Sequence, residues 1–144
     1  MNVLFDSNVI VAFLVQEHSD HNAAYDTYLN YANEHNTLFI STHSLAEIYR
    51  TLTWGVEFLD YTAAQANQII RSTVLPVFDT IELNTSDYKQ VLDFMVEADL
   101  QGSIIYDALI SRASQKIDAE ALVTFNIKDF QRVWPLTNAD LIEP

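Results

Sequence analysis

The chain has 144 residues, 49% of them hydrophobic and 19% charged, which is enough to bury one substantial core and is read as one domain spanning 1–144. It contains no cysteine, which excludes disulfides, thiol nucleophiles and thiolate metal sites, so any metal must be held by oxygen or imidazole. Twenty acidic residues against seven basic ones give a net charge of −13, the opposite of the basic surface that phosphate binding usually draws on.

Strands alternate with helices along the chain, a pattern that predicts a parallel sheet covered on both faces. The first strand is expected at 2–5, and its apolar run Val3-Leu4-Phe5 ends on Asp6, followed by Ser7-Asn8-Val9-Ile10. A carboxylate at the exit of a buried strand has a fixed backbone and a head that faces a crevice. A helix follows in which Ala24, Tyr28, Tyr31 and Ala32 share a face, then a strand at 37–40, then a helix with Leu45, Ile48, Tyr49 and Leu52 on one face. Glu47 falls about one turn into that second helix.

Further along, Thr62 is a candidate helix cap, 77–81 a strand, and Thr85-Ser86 a second cap ahead of a helix with Tyr88, Val91, Leu92 and Met95 on its inward face. Gly102 is expected to end that helix and Ser103 to cap the next, whose first turn carries Asp107, where the helix dipole favours an acid. A strand at 121–124 leads to Asn126 and Asp129, and a weaker strand is expected near Leu136. No repeat, low-complexity stretch or linker interrupts this order. The amino terminus enters its first strand without a signal-like segment, and no uncharged apolar run is as long as a membrane span, so the expectation is a soluble, cytoplasmic protein with no membrane partner.

In an open α/β sheet, sites form outside the carboxyl ends of the strands, and the acids at 6, 47, 107 and 126–129 all follow that rule. Carboxylates held together repel and raise one another's pKa unless a cation joins them, and Mg²⁺ or Mn²⁺ suits such oxygen-rich surroundings. Each acid also has a plain alternative: Asp6 as a helix cap, Glu47 as an exposed partner of Arg50, Asp107 as a dipole complement, Asp129 as a surface acid beside Lys128. Arg112, Lys116, Lys128 and Arg132 fall in the last third, where a local basic face is one reading and scattered solvated cations the other. His18, His21, His35 and His43 have no compact zinc-binding spacing, and only His43 follows a strand close to the expected crevice. Helical spacing assigns Tyr25, Tyr28, Tyr31, Tyr49, Trp54, Phe58 and Tyr61 to core or interface packing in preference to RNA stacking.

Four segments together, Val-Leu-Phe-Asp-Ser-Asn-Val-Ile at 3–10, Ser-Leu-Ala-Glu-Ile-Tyr at 44–49, Gly-Ser-Ile-Ile-Tyr-Asp-Ala-Leu-Ile at 102–110 and Leu-Val-Thr-Phe-Asn-Ile-Lys-Asp-Phe at 122–130, resemble the PIN domain family, and within it the VapC toxins most. The resemblance implies a three-layer α/β/α fold with a central, mostly parallel sheet and a metal-dependent endoribonuclease. It implies Asp6, Glu47 and Asp107 as the first three acids around Mg²⁺ or Mn²⁺, an RNA substrate, a cognate antitoxin and a homodimer whose interfaces involve the early helices. The fourth position departs from the common pattern: Asn126 stands where many members carry an aspartate, and Asp129 follows three residues later. Ser7, Asn8 and Thr124 are expected to orient the carboxylates. Two other readings compete, a PIN module that binds RNA or protein with little or no catalysis, and a phosphatase of the haloacid-dehalogenase type, which usually wants a second aspartate where this chain has Asn8.

Overall fold

The computed structural model describes residues 1–54, 61–133 and 136–144. Five strands, β1 (Asn2–Phe5), β2 (Thr37–Ser41), β3 (Asp79–Ile81), β4 (Ala121–Val123) and β5 (Asp140–Ile142), form one sheet in the order β3-β2-β1-β4-β5, and every neighbouring pair is parallel. Helices α1 (Ser7–Leu14), α2 (His21–Asn33), α3 (Thr42–Thr53), α4 (Ala63–Ile69), α5 (Thr85–Glu97), α6 (Ile104–Lys116) and α7 (Ile127–Arg132) connect them, with α4 running on into a wider π-helical stretch, Ile70–Val74.

The layers follow from the two-residue alternation of the strands. Val3, Phe5, Leu38, Ile40, Ala121 and Val123 face one core, shared with α1 to α4. Leu4 and Leu122 face the other, shared with α5, α6 and α7. Phe5 is the centre of the first core, with Phe78 at 5.4 Å and Tyr31 at 6.1 Å between ring centroids, both edge-on. The sheet is therefore sandwiched between two helical layers, as the expected α/β/α class requires. No helix among the described residues is long and apolar enough to cross a membrane.

The topology also selects a location for a site. The chain moves outward from β1 through β2 to β3, then returns to the other side of β1 for β4 and β5. The strand order thus reverses at β1, and a crevice opens beyond its carboxyl end, where Asp6 stands.

Several local expectations shift. The last strand is Asp140–Ile142, not a segment near Leu136: Asp140 N–H donates to Glu120 C=O and Thr124 N–H to Ile142 C=O, so pairing with β4 sets its position, while Leu136 is buried outside the sheet. The third strand begins at Asp79 and the fourth ends at Val123. Thr62 does cap α4, in a reciprocal box with Gln65, but α5 is capped by Asn84, whose side chain accepts from Asp87 N–H while Asp87 accepts from Asn84 N–H. Asp99, at φ 52, turns the chain out of α5, so Gly102 ends no helix. Gly102 at φ 78 instead shapes the turn before α6, where the left-handed backbone and not crowding requires glycine, and Ser103 makes no side-chain cap bond.

The inward face of α5 is also rotated from the expected one. Val91 and Met95 are buried, whereas Tyr88 and Leu92 are exposed. The cause is Asp87, 3% exposed, which takes the buried position and accepts from Arg112 Nη2 at 2.9 Å and Lys116 Nζ at 2.8 Å. These cations, Lys116 first, together with the Asn84 N–H, hold the Asp87 carboxyl down at about 2. Removing one partner of a buried ion pair is strongly destabilising. Asp87→Ala is accordingly expected to cost about 3 kcal/mol, roughly 10 °C in melting temperature for a domain of this size. Because the folded carboxyl titrates below its ordinary value, its stabilisation is complete above pH ~4 and fades as pH falls through about 2. Thermal melts of both proteins should therefore converge with acidification, and a gap that is constant from pH 5 to pH 2 would contradict the ion-pair account.

Candidate functional site

Asp6 extends the sheet by one residue through its N–H, which donates to Val123 C=O at 2.9 Å, and its own carbonyl accepts from Val9 and Ile10 as α1 begins. By backbone it is the helix cap that a plain reading of the sequence anticipates, yet its side chain makes no cap bond. The carboxylate turns instead toward β4, where Thr124 Oγ1 donates to Oδ2 at 2.7 Å, while Ser7 Oγ donates to Oδ1 at 3.3 Å. Thr124 is itself held by Asn126 N–H at 2.9 Å and Asn8 Nδ2 at 3.4 Å, and Asn8 Oδ1 accepts from Phe125 N–H. The loops after β1 and β4 are thus tied together beneath the Asp6 carboxylate.

The other acids arrive on helices. Ser41 caps α3 by accepting from His43 N–H, and Glu47, one turn further on, receives Ser7 Oγ on Oε2 at 3.0 Å. Ser7 has a single hydroxyl proton, so it serves Asp6 and Glu47 in alternation. Glu47 makes no ion pair with Arg50; its neighbour is His43, whose Nε2 lies 3.9 Å from Oε1. Asp107 sits in the first turn of α6 and accepts from Asn126 Nδ2 at 3.3 Å. Asp129, in the first turn of α7, pairs with Arg132 at 3.3 Å. Asp6, Glu47, Asp107, Asn126 and Asp129 all line one cleft of about 250 Å³.

Electrostatics in this cleft are frustrated. Burial pushes the Asp6 carboxyl up to about 7, with the charges of Glu47 and Asp107 adding to it and the Thr124 hydrogen bond opposing. Burial likewise raises Asp107 to about 6, helped by Asp129 and Glu47 and opposed by the Asn126 amide. Among the described residues, no three carboxylates or imidazoles are gathered tightly enough to enclose a metal as they stand. The donor set is nevertheless all oxygen, and what Asp6 and Asp107 lack is a positive partner. That chemistry fits a hard divalent cation, around which the side chains would have to close.

The sequence matches the PIN domain family over residues 3–134. The chain belongs to that family. No curated protein matches it. Among solved structures the PIN fold is shared with a chain of VapBC2 from Rickettsia felis, a complex bound to a DNA fragment from its promoter, at TM-score 0.69 and 22% identity over 99% of each chain. It is shared with VapBC-1 from nontypeable Haemophilus influenzae at TM-score 0.67 and 15% identity, covering 99% of this chain and 98% of that one. It is shared also with VapC20 from Mycobacterium tuberculosis, a toxin that cleaves the sarcin-ricin loop, at TM-score 0.64 and 19% identity over 83% and 86%.

Around the PIN cleft, other expected features divide. Arg112 and Lys116 are taken up by Asp87 and Arg132 by Asp129, so three of the four late cations do not form an open basic face. His21 Nδ1 meets Ala12 C=O and His18 Nδ1 accepts from Asp20 N–H, both local contacts, whereas His43 reaches the site. Of the aromatics, Tyr28 and Tyr31 pack on the core, Tyr25, Tyr49 and Trp54 are exposed, and Phe58 lies outside the described residues. Tyr106 escaped attention in the sequence: it adjoins Asp107, lines the cleft and stacks on His43 at 5.0 Å with the rings 13° apart. Its place inside the motif that carries Asp107 was the available signal.

Proposed function

We propose that this PIN domain, a single unit over 1–144, is an endoribonuclease that hydrolyses RNA phosphodiester bonds with Mg²⁺ or Mn²⁺. We propose further that it is the toxin of a VapBC-type pair, acting in the cytoplasm as a homodimer under the control of an antitoxin. The observation that carries the reading is the meeting of Asp6, Glu47, Asp107 and the 126–129 segment in one cleft, beyond β1, where the strand order reverses. Family membership and the likeness in fold to VapC-containing structures support it.

In this reading Asp6 and Asp107 would hold the cation, together with Glu47 and Asp129. When bound, the ion offsets negative charge on the scissile phosphate and acidifies the attacking water. Ser7 fixes one oxygen of Glu47, leaving the other to take the proton of that water, while the departing ribose oxygen takes a proton from solvent. Thr124 keeps Asp6 from rotating, and the Asn126 amide keeps Asp107 aimed into the cleft. Asn126 is thereby a positioning residue, and Asp129 supplies the fourth acidic corner. Asn8, spanning to the loop after β4, fixes the geometry beneath them.

Incubation with mixed RNAs tests the reading. Fragments are expected with Mn²⁺ and none after chelation by EDTA; cleavage that ignores EDTA, or intact RNA at saturating Mn²⁺, would sink it. A binding module without catalysis is favoured by one observation, the lack of three ready-gathered carboxylates among the described residues. Titration calorimetry separates the two, because a nuclease of this type gives heat with Mn²⁺ and an inert module gives none.

A further inference from the structure

Next to the acidic cleft lies a larger chamber of about 700 Å³, within the range of roughly 300–1,000 Å³ typical of small-ligand sites. The two spaces share Ser7, Asn8, Glu47, Ser103 and Tyr106, so a chain crossing one enters the other. Their chemistry differs. Among the described residues, the walls that belong to the chamber alone carry no carboxylate; they bring His18, His43, Arg50 and Thr51 together with the apolar Val11 and Ala46. In a molecule of net charge −13, the described walls of this chamber carry one carboxylate, Glu47 at the border, against the four that line the cleft beside it.

Tyr106 forms the border between the two. It is 45% exposed, and its ring lies nearly parallel to that of His43, which is anchored at the start of α3. The stack spans α3 and α6 and holds Tyr106 as a fixed planar shelf. Arg50, one helical turn beyond Glu47 on α3, lines the same chamber. An aromatic plane followed by a cation is the pairing that binds unstacked bases and the phosphates attached to them.

We infer that this chamber is a single-stranded nucleotide subsite, in which the base adjoining the scissile phosphate stacks on Tyr106 and the next phosphate is met by Arg50. The inference rests on the nuclease reading of the acidic cleft and adds where the substrate's base goes. It also explains how an acidic protein engages RNA: stacking supplies affinity that a basic surface does not.

The experiment uses a fluorescently labelled single-stranded RNA octamer of mixed sequence and a set of octamers with one abasic position moved along the chain. Anisotropy without divalent metal reads binding, and initial rates with Mn²⁺ read cleavage. Tyr106→Ala is expected to weaken binding and raise KM by about tenfold with kcat changed less than about twofold, and Tyr106→Phe to restore both. Wild type should lose affinity at one abasic position, a sensitivity absent in Tyr106→Ala. Arg50→Ala should raise KM and lower the salt slope by about one ion. Cleavage with unchanged KM in Tyr106→Ala and Arg50→Ala overturns the subsite while leaving the nuclease intact, and gives the chamber to a protein partner instead. Binding that depends on one base through Tyr106, without cleavage by wild type, upholds the subsite and removes the nuclease reading.

Discussion

Asp6→Asn is expected to lower RNA cleavage by at least a hundred- to thousandfold while raising the melting temperature of the metal-free protein. The loss corresponds to removing several kcal/mol of charge stabilisation at the reacting phosphate. The gain in stability follows from burial. Asp6 is 4% exposed, and its carboxyl is raised to about 7 by desolvation and by its acidic neighbours. An acid whose folded pKa lies above its unfolded value contributes less to stability as pH rises between the two, so from about pH 4 to about pH 7 the metal-free fold weakens. At pH 7.5 that penalty is on the order of a few kcal/mol, and an asparagine of the same shape escapes it. Its amide oxygen still accepts from Thr124, so the tie between the loops after β1 and β4 survives. Thermal melts at pH 5 and 7.5, with cleavage assays on the same preparations, check both halves. A variant that is inactive but also less stable than wild type at pH 7.5 would mean that the carboxylate's bonds to Thr124 and Ser7 outweigh the cost of its burial.

The meeting of Asp6, Glu47 and Asp107 was legible from sequence because each lies just beyond a run whose periodicity is strong. Val3-Leu4-Phe5 can only be an inner strand, and its end fixes Asp6; the helices α3, capped by Ser41, and α6 then carry Glu47 and Asp107 to the cleft by simple register. What escaped depends on contacts between distant segments. The rotation of α5 comes from Arg112 and Lys116 drawing Asp87 inward, and no pattern within 85–97 reveals it. The position of β5 is set by hydrogen bonds to β4 along three residues, too few for alternation to register. The fourth corner of the cleft has the same character. Whether Asn126 or Asp129 matters cannot be read from spacing, since it turns on an amide reaching Asp107 from another loop and on Arg132 drawing Asp129 aside.

Asp107→Asn is expected to match Asp6→Asn in lost cleavage and, in addition, to abolish the response of the fold to divalent metal. A ligand that binds only the folded state adds about 2.7 kcal/mol at one hundred times its dissociation constant, roughly 8 °C for a domain of this size. Wild type should show that shift with Mn²⁺ at pH 7.5. The shift should shrink on acidification, because Asp107 is raised to about 6 and Asp6 to about 7, and a protonated carboxyl does not hold a cation. Bound metal favours the ionised forms, so higher Mn²⁺ should move the midpoint of this pH dependence downward, and cleavage should follow the same curve. Asn126→Ala frees Asp107 to rotate and should weaken the shift without removing it. Asn126→Asp adds charge and should restore or exceed it. Asp129→Asn, taking away a half-exposed acid already paired with Arg132, should cost less than either change at Asp107 or Asp6. A Mn²⁺ shift that is equal at pH 5 and pH 8, or one that survives in Asp107→Asn, would mean that the cation binds elsewhere, and the two raised carboxylates would then need a different explanation.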